Sequence, residues 1–152
     1  MVKIIYLIVA FCCFHFFGHA EEDREYQFHG RHFIANYTEC DKEALSDVKE
    51  LAKAFVDAVQ ECGATLLDSS YYVFEPNGMT MMVLLSESHA SIHTYPEHNA
   101  CFVDLFTCGT SCSAEKFDQA LRSYLKPAEV VERMLIRNEQ VACDECEHQN
   151  SQ

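Results

Sequence analysis

Between Gly78 and Gly109 the chain reads "GMTMMVLLSESHASIHTYPEHNACFVDLFTCG". Three strand-like runs follow one another here with little chain between them. "MTMMVLLSE" is a nearly continuous apolar run of the kind expected for a strand buried on both faces. His89 to Tyr95 alternates polar and apolar residues, as a half-buried strand does. "ACFVDLFTC", Ala100 to Cys108, alternates again after a turn near Pro96 to Asn99. Connections this short cannot carry a parallel crossover, so the three runs form antiparallel neighbours.

Working outward, "ATLLDSSYYVFEP" reads as a further strand with a bend, joined to the first run by an Asn77-Gly78 hairpin turn. Upstream, "RHFIANYT" (Arg31 to Thr38) reads as a strand, and Asp41 caps a helix in which Leu45, Val48, Ala52, Phe55 and Val59 recur at helical spacing. Gly63 ends that helix. Downstream, Ser113 caps a second helix with Phe117, Ala120, Leu121 and Tyr124 on its apolar face, and Pro127 stops it. "VVERMLIRN" reads as a last strand. The order predicts an α+β fold, an antiparallel sheet with two helices on one face in a two-layer sandwich. Its other face then needs a cover. A second copy of the chain is the simplest one, giving a four-layer αββα homodimer.

The ends stand apart from this unit. Residues 1–20, "MVKIIYLIVAFCCFHFFGHA", have the layout of a secretory signal peptide: Lys3, an apolar run from Ile4 to Phe17, then Gly18 and Ala20. The run falls short of a membrane span, so a secreted or lumenal protein with no membrane segment in its mature form is expected if the leader is used, and a cytoplasmic one otherwise. Residues 21–29 form a linker, 30–138 the domain, and the polar stretch 139–152 a loose tail. The net charge of −13 argues against nucleic acid as a partner, which needs clustered Lys and Arg. Of nine cysteines, Cys12 and Cys13 leave with the leader, and the remaining odd number implies at least one free thiol or an intermolecular bridge.

The chemistry concentrates in Leu85 to Glu97. A metal is not expected there, because His89 and His93 lie about 13 Å apart on a strand. The C-x-x-C of Cys143 and Cys146 lacks a second ligand pair. Ser88 lacks the G-x-S-x-G elbow of a serine hydrolase. A third chemistry suits the residues better. A serine hydroxyl can attack the carbonyl carbon of the residue before it, here Glu87, and convert the peptide to an ester. Loss of the Ser88 Cα proton then expels the carboxylate, and the dehydroalanine left behind hydrolyses to a pyruvoyl group.

At this point the motif becomes specific. "SESHASIHTYPE" followed by "FVDLFTCG" resembles the processing and catalytic core of the S-adenosylmethionine decarboxylase proenzymes, the small bacterial and archaeal type. "GRHFIANYTECD", "GATLLDSSYYVFEPNGMTMMVLLSES" and the helix after "CSAEKF" keep that family's order and spacing, from about Gly30 to Asn138.

The resemblance implies a proenzyme cut between Glu87 and Ser88. Ser88 becomes the pyruvoyl cofactor, which forms a Schiff base with S-adenosylmethionine, and the decarboxylated product feeds polyamine synthesis. It further implies His93 as the processing histidine, Thr80 as its assistant, Cys108 as proton donor, and Phe74 and Glu97 as binders of adenine and ribose. Cys108 ends a row with Phe102, Asp104 and Phe106 on one strand face, whereas Cys101 alternates to the other and reads as core. Ala90 and Tyr95 depart from the bulkier aliphatic and the tryptophan common in the family. The leader departs further, since the substrate is a cytosolic metabolite. Two alternatives stay open: a pyruvoyl-dependent ornithine or arginine decarboxylase, and a secreted binding protein on the same fold.

Overall fold

A computed structural model of the chain describes residues 28–138. The leader, most of the linker and the tail lie outside the described residues. Six strands form one antiparallel sheet: β1 (Gly30–Thr38), β2 (Leu66–Phe74), β3 (Gly78–Leu85), β4 (Ser88–Tyr95), β5 (Ala100–Thr107) and β6 (Glu129–Arg137), in the order β2-β3-β4-β5-β1-β6. Helices α1 (Lys42–Ser46), α2 (Val48–Glu61) and α3 (Ala114–Leu125) pack on one face. The α+β two-layer architecture is as the alternation predicts.

Local chemistry sets the element ends. The Asp41 carboxylate accepts from the N–H groups of Glu43 and Ala44, which starts α1. Asp47 then breaks the expected single helix in two by capping α2 through the Glu50 N–H. Gly63 follows α2 with φ +89°, a conformation that disfavours any side chain. Ser113 caps α3 through the Lys116 N–H.

The core lies between the helices and every second strand residue. Phe33, Ala35 and Tyr37 of β1, Met79, Met81 and Val83 of β3, and Val103 and Leu105 of β5 are buried against Leu51, Phe55, Phe117 and Leu121. The Phe117 ring meets Phe55 at 5.6 Å and Phe33 at 6.3 Å in edge-to-face contacts. Tyr37 donates its hydroxyl to Asp118, and burial followed by that carboxylate pushes its pKa up.

Two expectations need correction. The apolar run of β3 is buried on one face only, since Met82 and Leu84 are 47% and 53% exposed. Continuous apolar sequence shows that both faces are apolar, but not that both are covered within one chain. The hairpin turn before β3 is also longer than Asn77-Gly78. Phe74 pairs with Gly78, so Glu75, Pro76 and Asn77 make the loop, with a cis Glu75–Pro76 bond, and Gly78 already belongs to the strand. A Cβ at Gly78 would meet the Phe74 Cβ at 3.5 Å, an ordinary contact, so the glycine is not forced by the turn.

Candidate active site

The uncovered face of the sheet carries the polar and aromatic residues. From β4 it presents His89, Ser91, His93 and Tyr95, and from β5 Phe102, Asp104 and Phe106. Register places Thr80 opposite His93, and Ser88 opposite Thr107. These two pairings define two ends of one strand.

At the first end, Ser86 and Glu87 are the whole connection between β3 and β4. Glu87 is buried although charged. Burial works against its charge, yet hydrogen bonds, chiefly from the Thr65 N–H to Oε2 at 2.9 Å, hold its carboxyl below the usual range. Its backbone carbonyl accepts from the Cys108 N–H at 3.1 Å. A Cβ at Gly109 would come within 2.9 Å of the Glu87 Cγ, so the loop after β5 can close on the glutamate only with glycine there. The peptide between Glu87 and Ser88 is therefore clamped from both sides. A donor already points at the carbonyl oxygen on which negative charge would develop if Ser88 attacked it.

Ser88 Oγ lies 3.1 Å from His89 Nδ1. His89 Nε2 lies 3.7 Å from Asp104 Oδ1, and the same oxygen is 3.3 Å from His32 Nε2. The Ser91 hydroxyl donates to the other carboxylate oxygen. None of His89, His32 and Ser91 was assigned a site role from sequence. The period-two alternation of His89, Ser91 and His93 was the signal that they share a face.

At the second end, Thr80 Oγ1 and His93 Nδ1 are hydrogen-bonded. Phe74 packs edge-on to the His93 ring at 5.9 Å and to Tyr72 at 4.9 Å. Tyr95 lies 4.6 Å from His93 and 5.3 Å from Phe102, between ring centroids. Glu97 is exposed on the 3₁₀ turn that follows Tyr95. The structure thus brings together Glu87, Ser88 and Cys108, and separately Thr80, His93 and Phe74. Five residues of strand separate Ser88 from His93, roughly 16 Å, which no imidazole bridges within one chain.

Cys112 is buried, with its Sγ 3.0 Å from that of Cys62. That contact, then burial, pushes the Cys112 thiol up. Among the described residues no group of three or more His, Cys, Asp or Glu is arranged to hold a metal ion, and no helix is long and apolar enough to cross a membrane.

Fold and site define a class: a two-layer α+β protein with serine, histidine and thiol groups gathered on the bare face of its sheet. A family model described as S-adenosylmethionine decarboxylase matches residues 31–138. The S-adenosylmethionine decarboxylase proenzyme of Thermosipho africanus is 44% identical over 101 residues, covering 66% of this chain and 78% of that one. The proenzyme of the same name from Methanococcus aeolicus is 42% identical over 99 residues, covering 65% and 85%. The crystal structure of the adenosylmethionine decarboxylase from Aquifex aeolicus superposes with a TM-score of 0.68 at 32% identity, covering 74% of this chain and 92% of that one. The chain belongs to the S-adenosylmethionine decarboxylase family.

Proposed function

We propose that residues 30–138 are a self-cleaving decarboxylase domain. It opens its own Glu87–Ser88 bond, converts Ser88 to a pyruvoyl group, and decarboxylates S-adenosylmethionine for polyamine synthesis. The observation that carries this reading is the clamped peptide: its carbonyl meets the Cys108 N–H at 3.1 Å while the Ser88 hydroxyl stands beside an imidazole. The environment of Ser88 also suits the group it would become, with no bulky side chain at Gly109 and a thiol on the adjoining residue. Once formed, the pyruvoyl carbonyl supplies an electron sink for loss of carbon dioxide from an α-amino acid. Cys108 Sγ holds the proton that the product carbon needs, a task for which a thiol is a far better acid than a hydroxyl.

The distance between Ser88 and His93 asks for a second chain. Tyr72, Phe102, Met82 and Leu84 stand 67%, 49%, 47% and 53% exposed on the bare face, a surface suited to burial against a copy of itself. If two sheets stack face to face, about 10 Å apart, with a two-fold axis crossing β4 near Ser91, the Ser88 end of each lies over the His93 end of the other. Thr80 and His93 of one protomer then complete the site begun by Ser88 and Cys108 of its partner. His93 removes the Ser88 Cα proton, while Phe74 stacks on the adenine and Glu97 receives the ribose hydroxyls.

The test is an intact-mass spectrum beside a carbon dioxide release assay. Wild type should give two chains split after Glu87, the second with a blocked end, and Ser88→Ala one uncut chain without activity. A cut chain with a free serine amine sinks the mechanism. Release from ornithine or arginine and not from S-adenosylmethionine reassigns the substrate.

A further inference from the structure

The imidazole beside Ser88 belongs to His89, a residue that no role described so far uses. Neighbouring residues on a strand normally face opposite ways. Ser88 opens β4 with φ 158°, however, and its Oγ sits 3.1 Å from Nδ1 of the next residue. The other ring nitrogen, Nε2, faces Asp104 Oδ1 at 3.7 Å. Asp104 is itself fixed by the Ser91 hydroxyl and by His32. Phe106 packs 5.7 Å from the His89 ring and is covered by the Arg137 guanidinium at 4.3 Å. With Nε2 protonated towards the carboxylate, Nδ1 presents its lone pair to the serine hydroxyl. That is the geometry in which an imidazole takes a hydroxyl proton.

We propose that His89, held by Asp104, is the general base of the first processing step, the conversion of the Glu87–Ser88 amide to an ester. The proposal rests on the self-cleavage reading above and divides its chemistry between two histidines. Nδ1 of His89 accepts the Oγ proton as the Oγ–C bond to the Glu87 carbonyl carbon forms, and the oxyanion meets the Cys108 N–H. The C–N bond then breaks, and the proton on His89 passes to the departing Ser88 nitrogen. Every atom and charge is conserved, and no outside reagent is needed. The second step, removal of the Cα proton, falls to His93 of the facing chain. One histidine therefore makes the ester and the other consumes it.

Hydroxylamine separates the two steps, because at neutral pH it splits esters and spares amides. Wild type, His93→Ala and His89→Gln proteins are made by cell-free synthesis and followed by intact mass with and without hydroxylamine. Glutamine keeps a polar side chain beside Asp104 but cannot take a proton. His93→Ala should stay uncut in buffer and be split after Glu87 by hydroxylamine. His89→Gln should self-cleave at least ~10²-fold more slowly than wild type, and hydroxylamine should find little to split. In His89→Gly, added imidazole should restore cleavage, which separates a missing base from a damaged fold. His89→Gln cleavage within a few-fold of wild type overturns the proposal. So does hydroxylamine-sensitive ester in that variant at the His93→Ala level, or a His89→Gly chain deaf to imidazole. An uncut wild type overturns the self-cleavage reading itself and this proposal with it.

Discussion

The two faces of the sheet are built from the same strands, and they do different things. On the covered face Met79, Met81, Val83 and Ile92 disappear beneath α2 and α3, where they contribute burial and little else. On the bare face, one residue along each strand, stand Thr80, Met82, His93, Ser91 and Asp104. The covered face is complete in one chain, with its aromatic rings in mutual contact. The bare face differs twice over: its apolar side chains meet water, and the groups of the candidate site divide into two ends too far apart to meet within one chain. On the proposed function, stability and chemistry fall to alternate residues. A substitution should disturb one or the other according to its parity along the strand.

The largest expected effect comes from mixing chains. Ser88→Ala alone and His93→Ala alone should both remain uncut. Coexpressed with different tags and isolated as the mixed dimer, they rebuild one whole site, the Ser88 of one chain facing the His93 of the other. Mass spectrometry should then show the His93→Ala chain cut and the Ser88→Ala chain whole. If neither is cut, the two ends do not meet across a dimer and the comparison between faces loses its explanation.

Next in size is Cys108→Ser. The backbone N–H that faces Glu87 is unchanged by this substitution, so cleavage should proceed. Turnover of S-adenosylmethionine should fall by about 10²–10⁴-fold, the usual worth of a positioned acid. Wild-type turnover would remove the thiol from the chemistry. Mapping under mild oxidation should find Cys62 joined to Cys112, with Cys108 still reduced.

Much of this contrast was legible in the sequence. Period-two alternation in "SHASIHTY" and "ACFVDLFT" separates the two faces, and Asp41, Gly63, Ser113 and Pro127 mark the helix ends through their own backbone chemistry. What escaped has physical reasons. A run such as "MTMMVLL" says that both sides are apolar, but not which of them a helix of the same chain covers. The rise per residue that keeps His89 and His93 from sharing an ion also keeps His93 from Ser88, a separation that listing motif residues side by side conceals. The contact between Ser88 and His89 breaks the alternation rule locally, so no periodic pattern could announce it. The Cys62–Cys112 pair joins residues 50 apart in the chain, and such partners follow only from the packing of the loop against α2.

The smallest effects on turnover pair an aromatic ring of the bare face with one that packs on the covered face. Phe74→Ala should raise KM for S-adenosylmethionine roughly tenfold, the worth of one stacked base, with little change in melting temperature. Phe117→Ala should cost about 3–5 kcal/mol of stability, as large core truncations do, and leave KM alone in the protein that stays folded. Reversed outcomes, read by denaturant titration and steady-state kinetics, would assign the two faces the other way round.

The sheet order has a consequence for the molecule's history. A cut after Glu87 divides the strands between two polypeptides, β1, β2 and β3 in one and β4, β5 and β6 in the other. In space they are interleaved, for β1 is seated between β5 and β6 while β3 pairs with β4. Pieces severed there would be woven together and would stay joined without a covalent link. Reassembly would be another matter, because such a cut removes the tether that supplies millimolar effective concentration. An uncut protomer finds its fold as one polypeptide, whereas a protomer cut as proposed would, once melted, have to find it again from two. Its thermal unfolding should depend on protein concentration more steeply than that of the uncut Ser88→Ala protein, and in dilute solution the proposed cut would work as a ratchet that makes the first folding the only efficient one.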